Sequence, residues 1–111
     1  MSSTGDRVDR DALLRYMRRV ADRWPVESAY VGGSRVTGGA DRPPFLVVFV
    51  SRGFDGVPWL ERVRQAEALW DLAEMGERAE VHCYTPVEFE RKRDALPAVR
   101  DAADRGINLT A

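Results

Sequence analysis

The sequence predicts a small α/β (α+β) domain, a mixed β-sheet with helices packed against it. Three observations point there. Phe45 to Val50 is a short, unbroken apolar run of β-branched and aromatic residues, the pattern of a strand covered on both faces. Leu13, Leu14, Met17, Val20 and Trp24 recur at helical spacing, and a second helical stripe follows the apolar run. Thr85-Pro86-Val87-Glu88 is a capping box with proline at the first helical position. Strands and helices interleaved within 111 residues fit one layered domain.

Taken in order, residues 1–8 (MSSTGDRV) are polar and read as a mobile tail, with the domain over 9–111. A helix is expected from Asp9 to about Arg23, its acidic start suiting the positive end of the dipole, with Pro25 stopping it. Glu27 to Val31 alternates weakly and reads as a strand, broken by Gly32-Gly33-Ser34, with a short helix capped by Ser34 expected next. The stretch from Thr37 to Pro44 is a loop by composition, and Phe45 to Val50 is the central strand. After a loop over 51–56, Asp55 is a candidate N-cap and Pro58 a first-turn residue. One helix with the stripe Trp59, Val63, Ala66, Trp70 and Ala73 then runs to Gly76. Ala79 to Tyr84 is the third strand. A helix starts at Thr85, another runs from about Pro97 to Arg105 and stops at Gly106, and Ile107 to Leu109 forms a short closing strand.

Composition excludes several classes. Seventeen basic against 18 acidic side chains give a net charge of −1, without the basic excess of a nucleic-acid binder. One cysteine, Cys83, and one histidine, His82, exclude an intramolecular disulfide and a Cys/His zinc cage within one chain. No apolar run is long enough to span a bilayer and the N-terminus has no apolar signal core, so a cytoplasmic protein is expected. The basic set is 16 arginines and a single lysine, Lys92. The arginine excess reads as genome base composition, with bidentate phosphate contact retained only where position supports it.

Two constellations carry chemistry. Gly32-Gly33-Ser34-Arg35 after a strand is either a connecting turn or a cradle whose amides bind an anion. Glu80 and His82, at i and i+2 on one strand, share a face and can exchange a proton, whereas Cys83 faces the other way, toward the core. Trp24, Trp59 and Trp70 are expected in core or interface, and the arginines of the first helix on a solvated face.

The order Ala29-Tyr30-Val31-Gly32-Gly33-Ser34, a loop, the strand from Phe45, then Glu80-Val81-His82-Cys83-Tyr84-Thr85-Pro86-Val87-Glu88-Phe89 and the closing segment from Ala98 to Ile107 resembles the nucleotidyltransferase superfamily (DNA polymerase beta-like fold), especially its minimal bacterial members. The resemblance implies a strand bearing Asp-x-Asp and a third carboxylate on a later strand, together holding two divalent ions against nucleotide phosphates. This chain departs from that pattern. The Asp-x-Asp positions fall at Phe45 and Val47, or one register away at Pro44 and Leu46 or at Leu46 and Val48, and none is acidic. Glu80 alone matches the third carboxylate, so no cofactor is expected, and Mg only if Asp41 joins Glu80. Phe45 and Val47 are expected to form an apolar pocket floor in place of the carboxylates. The resemblance thus implies a degenerate member that acts as a partner-binding or regulatory module, antitoxin-like, pairing with itself or with a small helical protein. The alternative is an enzyme, by residual nucleotidyl transfer or by a metal-free site of Ser34, Glu80 and His82. A small-molecule or nucleotide ligand fits either reading, while membrane and nucleic-acid partners are not expected.

Overall fold

A computed structural model describes residues 8–110. The tail expected over 1–8 lies outside the described residues except for Val8, which packs half-buried against the core. Helix α1 (Arg10–Ala21) begins where Asp9 caps it, its carboxylate accepting from the Ala12 amide at 3.0 Å. Strand β1 (Ser28–Gly32) follows, then β2 (Phe45–Val50), α2 (Trp59–Ala68), α3 (Leu72–Met75), β3 (Ala79–Tyr84), α4 (Pro86–Ala95), α5 (Pro97–Arg105) and β4 (Ile107–Asn108). The strands form one mixed sheet in the order β3-β2-β1-β4, with β1 antiparallel to β2 and β4, and β2 parallel to β3. Among the described residues no helix is long and apolar enough to cross a membrane.

Every residue of β2 is buried, because the sheet is the middle of three layers. Phe45, Val47 and Phe49 point toward α1 and α2, where Leu13, Tyr16, Val20, Ala66 and Cys83 meet them. Leu46, Val48 and Val50 point the other way, onto Phe89 of α4 and Val99 and Ala102 of α5. Tyr16 ties the first layer together. Its ring sits edge-on to Phe49 and Trp70, and its hydroxyl donates to the Ala66 carbonyl at 2.8 Å.

Three local expectations differ from the structure. The helix expected up to Gly76 is two helices, with the chain turning at Leu69 and Trp70 and Asp71 capping α3 through the Glu74 amide. Asp71 is a better cap than a mid-helix residue, since its short carboxylate competes for nearby amides. Pro58 stands at the N-cap of α2 rather than inside its first turn, and Asp55 does not cap α2 but ends the 3-10 turn before it. No helix follows Ser34, where the chain makes a single hydrogen-bonded turn from Gly33 to Thr37. The loop over 51–56 also holds more than expected, because a 3-10 turn at Arg52–Phe54 inserts Phe54 fully into the core beside Trp24.

Burial of ionisable groups gives the fold a pH limit. Desolvation pushes the Cys83 thiol up from 9.0 to about 12 and the Tyr84 phenol up from 10.0 to about 12, and it raises Tyr16 as well. Above their ordinary values the unfolded chain releases these protons while the native chain keeps them. Their contribution to stability is therefore complete below about pH 9 and declines as pH rises toward 12. Urea denaturation is expected to show a falling midpoint between pH 9 and 11, less steep in Cys83→Ala. A midpoint constant from pH 8 to 11 would contradict these burial assignments.

Candidate functional site

Parallel pairing of β2 and β3 sets Leu46 beside Glu80, Val48 beside His82 and Val50 beside Tyr84. Glu80, His82 and Tyr84 thus share one face of an edge strand, as their period-2 spacing requires. They form a continuous hydrogen-bonded chain. His82 Nε2 lies 2.7 Å from Glu80 Oε2, and His82 Nδ1 lies 2.5 Å from the Tyr84 hydroxyl. A carboxylate oxygen accepts, so Nε2 is the donor to Glu80, and Nδ1 shares the second hydrogen bond with the Tyr84 hydroxyl.

This chain opens into a groove of about 470 Å³ lined by Trp59, His82, Tyr84, Glu88, Lys92 and Leu96. Trp59 begins α2 and stacks on Tyr84 with ring centres 5.3 Å apart, yet it is 43% exposed. Leu96, at the junction of α4 and α5, is 36% exposed. Beneath the groove, Arg62 is only 6% exposed. Its guanidinium meets the Glu88 carboxylate at 2.6 and 3.5 Å, the Cys83 carbonyl at 3.2 Å and the Val57 carbonyl at 2.8 Å. The Arg62 hydrogen bond is the main reason the Glu88 carboxyl titrates below its usual range, with the Thr85 amide adding to it. Glu88 also closes the capping box of α4, so one side chain starts the helix and neutralises a buried cation.

The sequence-predicted residues divide. Glu80 and His82 come together as expected. Ser34 does not join them. It follows the end of β1, and β2 separates that strand from β3, which at ordinary strand spacing is about 10 Å. The expected anion cradle at Gly32, Gly33, Ser34 and Arg35 is corrected by the hydrogen bonds of the turn. The Ser34 amide donates to the Pro43 carbonyl at 2.8 Å and the Arg35 amide to Pro44 at 3.0 Å, while the amides of Val36 and Thr37 both donate to Gly33. The Arg35 guanidinium pairs with Glu77 at 3.0 Å. The Ser34 and Arg35 amides therefore fasten the turn to the end of the loop, those of Val36 and Thr37 close the turn on itself, and these four are not available to an anion.

Phe45 and Val47 are corrected by strand alternation. They lie in the α1-side core, with Phe45 packed near Trp70, on the opposite face from Glu80. The β2 residues that share the Glu80 face are Leu46 and Val48, at 1% and 0% exposure. This also tests the metal ions that the family resemblance implies. No group of three His, Cys, Asp or Glu side chains stands together among the described residues, and Asp41 is exposed in the loop before β2. A donor set of one carboxylate and one imidazole beside buried aliphatic side chains does not fit two divalent cations. Sequence reading missed Tyr84, Lys92 and Leu96 as lining residues and placed Trp59 in a helix stripe. The alternation Glu80-His82-Tyr84 was the available signal for the first, and the lone lysine among 16 arginines for the second.

No family model matches the sequence, and no curated protein matches it either. Among solved structures, the chain is similar to a protein from Sulfolobus solfataricus assigned as a nucleotidyltransferase, with 19% identity over 74% of this chain and 71% of that one and a TM-score of 0.56. The fold is nucleotidyltransferase-like.

Proposed function

We propose that this chain, built on a nucleotidyltransferase-like fold, acts by binding rather than by metal-dependent nucleotidyl transfer, as a partner-binding or regulatory module in the cytoplasm. One observation carries the reading. On the face that Glu80 shares, Leu46 and Val48 are sealed beneath Phe89, Val99 and Ala102. A triphosphate and its cations need solvent-accessible oxygen donors there, and the fold supplies a packed aliphatic layer instead. The exposed Trp59 and Leu96 at the β3 edge supply the kind of aromatic and apolar contact that protein and ligand interfaces use. The partner this reading implies is a second copy or a small helical protein, as in antitoxin-like pairs, and a small-molecule ligand fits it as well.

Melting curves with ATP and Mg²⁺ test the reading. Ligand at one hundred times its Kd adds about 2.7 kcal/mol to a folded state that binds it, roughly 10 °C for a domain of this size. The expected outcome is no shift that requires both nucleotide and metal, and such a shift would reject the proposal. The second reading, an enzyme, is favoured by the Glu80-His82-Tyr84 chain, which has the carboxylate–imidazole–hydroxyl order of an acid-base array. If it is a residual transferase using Asp41 and Glu80, label transfer from a nucleotide must vanish in both Asp41→Ala and Glu80→Ala.

A further inference from the structure

We propose that the groove between β3, α2 and α4 binds a planar aromatic molecule bearing a single negative charge, its ring against Trp59 and Leu96 and its acid group at the Lys92 ammonium. This names the ligand class of the binding reading above and rests on it. The size is right, since small-molecule sites run from roughly 300 to 1,000 Å³ and this groove has about 470 Å³. The wall is aromatic and set in advance. Stacking on Tyr84 fixes the plane of the Trp59 indole, and Tyr84 is itself held by His82. A prearranged ring costs a ligand little ordering entropy.

Charge decides the ligand's sign. Glu88 stands one helical turn before Lys92, the spacing at which a glutamate ordinarily pairs with a lysine. Here that carboxylate is committed to Arg62 and to the Thr85 amide. Both ring nitrogens of His82 are engaged, and the Glu80 carboxylate is engaged with one of them. Glu80 is not among the residues that line the groove, and of the charged side chains that are, Glu88 is paired with Arg62 while Lys92 meets no carboxylate among the described residues, so the lining offers one unspent charge and it is positive. A cationic ligand would find its acids already occupied. A triphosphate would find one cation where it needs several. A monoanionic aromatic acid matches both the wall and the charge.

The probe is 2-naphthoate, with uncharged 2-naphthamide as its isostere, titrated into the intact chain by calorimetry and followed by tryptophan fluorescence. Saturable 1:1 binding of naphthoate is expected, about tenfold tighter than the amide. Lys92→Gln should bring naphthoate down to the amide's affinity, and Trp59→Ala should abolish binding of both. Both side chains are exposed, so unchanged melting curves will show that the variants fold. Equal affinity for acid and amide, an unchanged Lys92→Gln variant or no saturable binding would each overturn the proposal. Stabilisation by ATP with Mg²⁺ would instead overturn the binding reading, so the two failures are distinguishable.

Discussion

Replacing Leu46 and Val48 by aspartate, the substitution that would write Asp-x-Asp into β2, is expected to unfold the domain rather than create a metal site. Both side chains are buried and lie with Val50, Tyr84, Phe89, Val99 and Ala102. A carboxyl there loses its hydration, and none of these side chains is a cation that would replace it. Each substitution also removes aliphatic packing. The cost per site exceeds about 4 kcal/mol, so two of them together take upward of about 8 kcal/mol, most or all of the roughly 5–15 kcal/mol that a domain of this size holds. Circular dichroism of the double variant should show no cooperative melt, while Val48→Ala should remain folded at a cost of roughly 1–3 kcal/mol. A double variant that melts cooperatively and is stabilised by Mg²⁺ would mean that the α4–α5 layer opens. The sealed-face argument would then fail.

The same layer explains which parts of the sequence were legible. β2, β3 and the start of α4 follow from local rules, a continuous apolar run, alternation and a capping box, so their bounds could be read directly from the residues. What local rules do not encode is which side of a doubly covered strand meets which neighbour. A run such as Phe-Leu-Val-Val-Phe-Val looks alike on both faces, and the register against β3 decides that Leu46, not Phe45, shares the side of Glu80. The groove was hidden for a related reason. Trp59 falls in step with a helical stripe, but the break after Leu69 ends α2 early, and Pro58 places the indole at the outer rim. Arg62 reads as one more surface arginine until Glu88, the Cys83 carbonyl and the Phe54 ring, brought from three segments, close around it.

Gly33→Ala is the second large effect to expect, and it separates the two meanings of a Gly-Gly-Ser turn. Gly33 has φ +102°, outside the comfortable range of an L side chain, and a Cβ there would come within 2.6 Å of the Pro44 carbonyl oxygen, 2.7 Å of that of Pro43 and 2.9 Å of the Leu46 amide. All three are backbone atoms that cannot swing aside, and the two carbonyls are the acceptors that fasten Ser34 and Arg35. The expected cost is about 3 kcal/mol or more, read from chemical denaturation. Gly38 also has a positive φ, +83°, but a Cβ there meets nothing within 4 Å, so Gly38→Ala pays backbone strain alone, about 1 kcal/mol. Ser34→Ala should fall within about 0.5 kcal/mol, because the Ser34 hydroxyl makes no hydrogen bond among the described residues. A clamp gives that order: Gly33 severe, Gly38 mild, Ser34 silent, with phosphate adding nothing to the melting temperature. An anion cradle gives another, in which phosphate stabilises the wild type and loss of Ser34 weakens that response. The turn's amides are turned inward to the loop, so the first order is the one this fold should return.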